Sequence, residues 1–174
     1  GMRVSKSPVT EFAARNGYQS LKNDLYQPES LDNYKQIRRI EILDPDIIIV
    51  IAYGLIIPKE ILSIPKLGCF NLHGSLLPRW RGAAPIQRAM IEGDTKTGIT
   101  FMKMDEGLDT GNIVLSKEIN IGKNDNHQSL EDKLSNLGAE SFEEFLELIE
   151  KKKDFIQQNN DLATYAKKIE KSET

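Results

Sequence analysis

Asn71 and His73 stand two residues apart in Gly68-Cys-Phe-Asn-Leu-His-Gly-Ser-Leu-Leu-Pro78, and a carboxylate, Asp109, follows in Glu106-Gly-Leu-Asp-Thr-Gly111. An Asn side chain offers an amide N–H donor, and a protonated imidazole offers an N–H donor that also carries charge. Together they can hold negative charge developing on an oxygen, while a carboxylate beside them orients the imidazole or takes up a proton. The short, mostly apolar run 67–72 predicts a buried strand, on which residues two apart face the same side. Gly74 breaks that strand, so the pair falls at its carboxyl end, the edge where open α/β sheets bind ligands. An isolated Asn-x-His in such a place more often satisfies backbone groups; the surroundings reverse those odds here.

Other reactive residue types nearby give weaker signals. Ser75 lacks the Gly-x-Ser-x-Gly turn of a nucleophilic serine, and Cys69 reads as a small core residue. As the sole cysteine it also provides neither a disulfide framework nor a metal cluster. Between Glu60 and Glu92 there is no acidic residue, whereas Lys66, Arg79, Arg81 and Arg88 all fall in that interval. Positive charge is thus gathered beside the Asn-His pair, which suits an anionic ligand, although four basic residues equally describe a solvated loop. Arg79 and Arg81 flank Trp80, an arrangement suited to phosphate contact and stacking; the alternative is that Trp80 covers the site while the arginines face water. His127 lies in a polar loop and reads as a surface or helix-capping residue.

The elements that must position these groups alternate between helical and strand patterns. Met2-Arg-Val predicts a strand, and Pro8 to Arg15 a helix stopped by Gly17. Leu31, Tyr34, Ile37 and Ile40 recur at helical spacing up to Pro45. Asp46 to Ala52 is a β-branched run that predicts a strand buried on both faces. A short helix over Pro58 to Ile64 precedes the strand of Asn71 and His73, and a second helix covers Ala84 to Ile91. Strands are predicted over Gly98 to Met104 and from Asn112, separated by a tight loop over Asp105 to Gly111. A single helix is predicted from about Ser129 to Lys152, with Asn126 available as its cap. Such alternation implies an open α/β sheet.

The 174 residues, 39% hydrophobic and 28% charged, suit one globular domain, and a net charge of -3 argues against a general nucleic-acid binder. No apolar run approaches the roughly 20 residues that span a bilayer, and no signal peptide is visible. A cytoplasmic location without a membrane partner is therefore expected.

The stretch Asn71-Leu-His-Gly-Ser-Leu-Leu-Pro-Arg-Trp-Arg-Gly-Ala-Ala-Pro-Ile-Gln87, followed by Gly107-Leu-Asp-Thr-Gly111, closely resembles the methionyl-tRNA formyltransferase family. The wider superfamily also holds glycinamide ribonucleotide formyltransferase, sugar-nucleotide formyltransferases and formyltetrahydrofolate hydrolases. Trp80-Arg-Gly-Ala-Ala-Pro-Ile-Gln-Arg88 and Ile51-Ala-Tyr-Gly-Leu-Ile-Ile-Pro58 favour the tRNA branch. The similarity runs from about Ser7 to Lys171. It implies an open, mostly parallel α/β sheet with flanking helices, the Rossmann-like formyltransferase fold.

The resemblance further implies transfer of a formyl group from 10-formyltetrahydrofolate to the amino group of initiator methionyl-tRNA. Asn71 and His73 would stabilise the oxyanion, with Asp109 assisting and no metal involved. The turn Ser75, Leu76, Leu77 and Pro78 would contact folate; Tyr53, Gly54, Leu55 and Ile57, with Met104, Gly107 and Leu108, would line the pterin pocket. On sequence alone, core packing explains Tyr53, Leu55 and Ile57 equally simply. Arg79 and Arg81 would face tRNA. Two departures stand out: the family's first strand-loop-helix unit and its carboxyl-terminal β-barrel have no counterpart here. Residues 1–163 are therefore expected to form an N-terminally incomplete catalytic domain, and 164–174 the start of a linker. The intact protein is expected to be a monomer. Rival expectations are an amino-sugar formyltransferase or a formyltetrahydrofolate hydrolase and, from another class, a non-catalytic fragment that binds folate or a partner.

Overall fold

The computed structural model describes residues 7–16, 19–20, 23–24, 26–151 and 154–173. The expected strand at Met2-Arg-Val and the stop at Gly17 lie outside these. The chain divides into two compact units, Gly1–Leu31 and Asp32–Thr174.

In the first unit, helix α1 (Pro8–Arg15) begins where Ser7 caps the amide of Thr10, with Pro8 in the first turn, where its missing N–H costs nothing. It ends at Asn16. Strands β1 (Gln19–Ser20) and β2 (Asn23–Asp24) form a small antiparallel pair. Gln27 Nε2 donates to Thr10 Oγ1 at 3.0 Å.

The second unit opens with α2 (Tyr34–Leu43), capped by Asn33 and closed by Asp44 in the left-handed region. Then follow β3 (Ile47–Ile51), α3 (Lys59–Leu62), β4 (Gly68–His73), β5 (Arg81–Gly82), α4 (Pro85–Ile91), β6 (Lys96–Lys103) and β7 (Ile113–Asn120). Helices α5 (His127–Glu140) and α6 (Phe142–Glu150) precede a short β8 (Tyr165–Ala166). The main sheet has the order β3-β4-β6-β7. Strand β3 pairs parallel to β4, whereas β6 is antiparallel to both β4 and β7. Three of the four strands therefore share one direction, so the sheet is mixed with mostly parallel strands, and the flanking helices complete the expected open α/β architecture.

Strand alternation divides β4 into two jobs. Phe70 faces α5 and α6 in a core with Ile99, Phe101, Leu130, Leu134, Phe145 and Ile149, and Leu72 packs against it. The odd positions Cys69, Asn71 and His73 point the opposite way. Gly138 lets α5 lie close to the sheet, since a Cβ there would come within 2.8 Å of the Leu72 side chain.

Two expectations need correction. Strand β3 is not buried on both faces: Val50 is, but Ile47, Ile48 and Ile49 are half-buried and Ile51 is 57% exposed. Among the described residues β3 is an outer strand with β4 on one side only. The single helix expected over 129–152 is two, parted at Ser141. The apolar repeat slips there, from Leu137 to Phe142, and a break lets Phe142 and Phe145 both reach the ring of Phe101. Asn126 does cap α5, in a reciprocal box with Ser129.

Candidate active site

Backbone register brings Asn71 opposite Met102 and His73 opposite Thr100 at the carboxyl end of β4. Asp109 arrives from the loop between β6 and β7. That loop is pinched where Lys103 N donates to Asn112 O, and Gly111 is required there because a Cβ would overlap the Lys103 carbonyl oxygen. Asp109 itself sits at φ 53, in the left-handed region.

The three side chains converge. Asn71 Nδ2 donates to Asp109 Oδ1 at 3.4 Å, and His73 Nδ1 lies 3.6 Å from Asp109 Oδ2. Gly82 N donates to the same Oδ2 at 2.8 Å, fixing the carboxylate. His73 Nε2 is 2.8 Å from the Trp80 carbonyl oxygen. A carbonyl only accepts, so Nε2 carries a proton, and Nδ1 is the nitrogen turned to Asp109. A second proton on Nδ1 makes that contact attractive. The two longer distances leave the Asn71 amide and His73 Nδ1 uncommitted, as catalytic hydrogen bonds often are before substrate binds.

The loop after β4 is built to hold the Trp80 carbonyl. Ser75 Oγ donates to Arg79 O at 2.6 Å, and Thr100 Oγ1 donates to Ser75 O at 2.7 Å. Trp80 N donates to Thr164 Oγ1, and Trp80 Nε1 donates to Asp94 Oδ2 at 2.7 Å. Arg79 grips Asp94 through Nε and Nη2 while lying 4.3 Å from the Trp80 ring centroid. Trp80 is consequently buried and cannot stack on a nucleotide.

Asp94 is held below the usual carboxylate range, first by its hydrogen bonds from Arg79 and also by the Trp80 indole. A depressed folded-state value contributes stability above the unfolded value, about pH 3.9, and loses it as pH falls through the lower folded value. Asp94→Asn is therefore expected to be less stable than the parent above about pH 4, with the gap closing on acidification. Thermal melting points measured from pH 7 down to acid would show it; a gap independent of pH would contradict the assignment. Cys69 is inert by the same kind of reasoning, since burial pushes its thiol up to about 11.

The whole arrangement lies within a matched region: residues 2–146 fit the family model described as formyl transferase. The chain belongs to the formyl transferase family. It is 49% identical over 170 residues to the methionyl-tRNA formyltransferase of Ehrlichia ruminantium (strain Gardel), covering 98% of this chain and 54% of that protein. It is likewise 49% identical over 174 residues to the methionyl-tRNA formyltransferase of Nitrosospira multiformis, covering 99% and 54%. The chain thus spans about half the length of these relatives. Among solved structures, the formyltransferase PseJ of Anoxybacillus kamchatkensis, in complex with UDP-4,6-dideoxy-4-formamido-L-AltNAc and tetrahydrofolate, is 25% identical with a TM-score of 0.64. That match covers 93% of this chain and 82% of PseJ.

Within this chain, the residues expected to meet ligands separate into two groups. Tyr53, Gly54, Leu55, Gly107 and Leu108 are exposed, and Met104 is half-buried. Ile57 and Leu77 are buried, Leu76 and Pro78 half-buried. Ser75 is fully buried with its hydroxyl spent on the turn, so it supports the loop and presents no hydroxyl to solvent. Arg81 requires the larger correction. It is 2% exposed, with Nε and Nη2 donating to Gln158 Oε1 and Nη2 also to Asn160 Oδ1. A guanidinium enclosed in that way cannot reach tRNA phosphates. Gln158 and Thr164 were not expected at the site; their polar surroundings read as a surface loop and a linker. His127 starts α5 as a surface residue near Glu131. Among the described residues, no cluster of His, Cys, Asp and Glu could hold a metal, and no helix is long and apolar enough to cross a membrane.

Proposed function

We propose that the protein from which this chain comes transfers a formyl group from 10-formyltetrahydrofolate to the amino group of initiator methionyl-tRNA. The observation that carries the proposal is the convergence of Asn71, His73 and Asp109 at the carboxyl end of β4. Attack of an amine on a formyl carbon moves the carbonyl electrons onto oxygen. Asn71 Nδ2 and His73 Nδ1 are the two donors with slack to turn toward that oxygen. Asp109 balances the charge on the imidazole and, through water, accepts the proton that the attacking amine loses. Collapse breaks the bond to the folate nitrogen, which takes a proton in exchange. The names of the 49% identical relatives support the acceptor.

The exposed apolar side chains Tyr53, Leu55 and Leu108 suit the flat pterin, and Gly54, Gly107 and Met104 stand near them in sequence. Ile57, Leu76, Leu77 and Pro78 stay as proposed folate contacts, Ile57 and Leu77 being buried and Leu76 and Pro78 half-buried. Arg79 is the remaining candidate for a tRNA contact, its guanidinium half-exposed beside Asp94. We place the protein in the cytoplasm as a monomer, with 1–163 in the catalytic domain; the expected linker at 164–174 gives way to a segment packed on that domain, since Thr164 and Ala166 accept from Arg81 and Ala83 and Arg88 binds Glu173. The likeness to PseJ supports a second reading, in which the acceptor is a nucleotide-linked amino sugar. Assaying the purified protein with 10-formyltetrahydrofolate against both acceptors decides between them. Formyl transfer to methionyl-tRNA is expected; transfer to the amino sugar alone would overturn the first reading, and release of formate without an acceptor would make the protein a hydrolase.

A further inference from the structure

Gln158 belongs to none of the motifs that point to the chemistry, and it lies beyond residue 146, where the family match ends. Yet it is 6% exposed and uses its whole amide on the site. Nε2 donates to the carbonyl oxygens of Asp109 at 2.9 Å and of Gly111 at 2.7 Å. Oε1 accepts from Arg81 Nε at 3.1 Å and Nη2 at 2.9 Å. One side chain therefore joins the loop that carries Asp109 to the strand residue preceding Gly82, whose amide binds the Asp109 carboxylate.

The geometry points to Gln158 as a positioning residue for Asp109, resting on the formyl-transfer reading of the site. Asp109 occupies a left-handed backbone conformation, which an L-residue holds only where its surroundings fix it. Gln158 clamps the carbonyls on both sides of Thr110, while buried Arg81 fixes the amide's orientation: with Oε1 committed to the guanidinium, Nε2 must face the loop. Arg81 thus acts behind the site through its fork of donors. The segment that follows strengthens the same clasp. Arg81 N donates to Thr164 O at 2.9 Å, and Ala83 N donates to Ala166 O at 2.9 Å.

Gln158→Glu is the discriminating substitution. It keeps the side chain's shape and its acceptor for Arg81 but replaces the donor with an oxygen that faces two carbonyl oxygens. The loop is then released while the buried guanidinium stays paired. The chain has only two histidines, so nitrogen-15 signals from the imidazoles separate His73 from His127, a surface residue that serves as the internal control. In Gln158→Glu the His73 ring signals are expected to shift while those of His127 stay fixed. The kcat for formyl transfer should fall about 10- to 100-fold, with KM for 10-formyltetrahydrofolate little changed. Gln158→Met, which lacks both donor and acceptor, should shift His73 in the same direction and supplies the readout if the Glu variant fails to fold.

His73 signals that stay unmoved, or a change confined to the melting temperature, would overturn the inference. If the parent transfers no formyl group, the formyl-transfer reading fails, and the histidine signals still decide whether Gln158 sets the position of Asp109.

Discussion

Asp109→Asn is expected to lower kcat for formyl transfer by about 10²–10³-fold while the protein stays folded. The Gly82 amide demands an acceptor, so the oxygen of the new side chain turns to it and the new NH₂ takes the place of Oδ1. That NH₂ faces Asn71 Nδ2, donor against donor, and Asn71 must rotate its own amide to offer oxygen instead. One substitution thereby removes the negative charge beside His73 and turns the Asn71 donor away from the reacting oxygen. Asn71→Ala and His73→Ala, each deleting one donor, are expected to fall in the same range. The double change Asn71→Ala/Asp109→Asn should cost little more than either alone, because the residues act as a unit. Steady-state formylation of methionyl-tRNA gives the rates, and multiplied losses in the double variant would refute the shared role.

Phe145→Ala should destabilise the fold by about 3–5 kcal/mol, measured by urea denaturation. Phe145 is fully buried, stacks on Phe101 at 4.3 Å between centroids and meets Phe70 edge-on at 5.5 Å. Truncation therefore removes these contacts and a third with Phe142 at 5.8 Å, and opens a cavity under the sheet. Its effect reaches the site through the backbone, since Phe70 immediately precedes Asn71 on β4. A loss below about 1 kcal/mol would mean that the surrounding rings collapse into the gap, and the core is then less tightly specified than the packing indicates.

Strand β4 could be read from sequence because its signals are local. The apolar run ending at Gly74 sets the strand, and the two-residue period then puts Asn71 and His73 on one side. Asp109 was identified by its motif, but the hydrogen bond that fixes it comes from the Gly82 backbone, which no side-chain pattern encodes. Arg81 carries no local sign of burial, because an arginine between Trp80 and Gly82 has the composition of an exposed loop. Its burial depends on amide partners 77 and 79 positions later in the chain. Gln158 is hidden for the complementary reason: Gln157-Gln158-Asn159-Asn160 looks solvent-facing, and only tertiary contacts single out one of the four. The break at Ser141 did leave a trace, the five-residue slip between Leu137 and Phe142, although a helical pattern on both sides masks it. The exposure of Ile51 left none, because a β-branched run does not reveal which flank of its strand will be covered.

The clasp between the loop after β4 and residues 158–166 also orders events in time. Trp80 N and Thr164 Oγ1 are 84 positions apart, and chain elongation runs at about 5–20 residues per second. Several seconds of synthesis therefore separate the appearance of Asn71 and His73 from that of the residues that lock their surroundings. Strands β4, β6 and β7 and helices α5 and α6 can gather around Phe70 in that interval, but the left-handed turn at Asp109 has no Gln158 to restrain it. A nascent chain paused near residue 150 would be a folded body without an organised centre, and competence for chemistry would wait for residues 158–166 to be added.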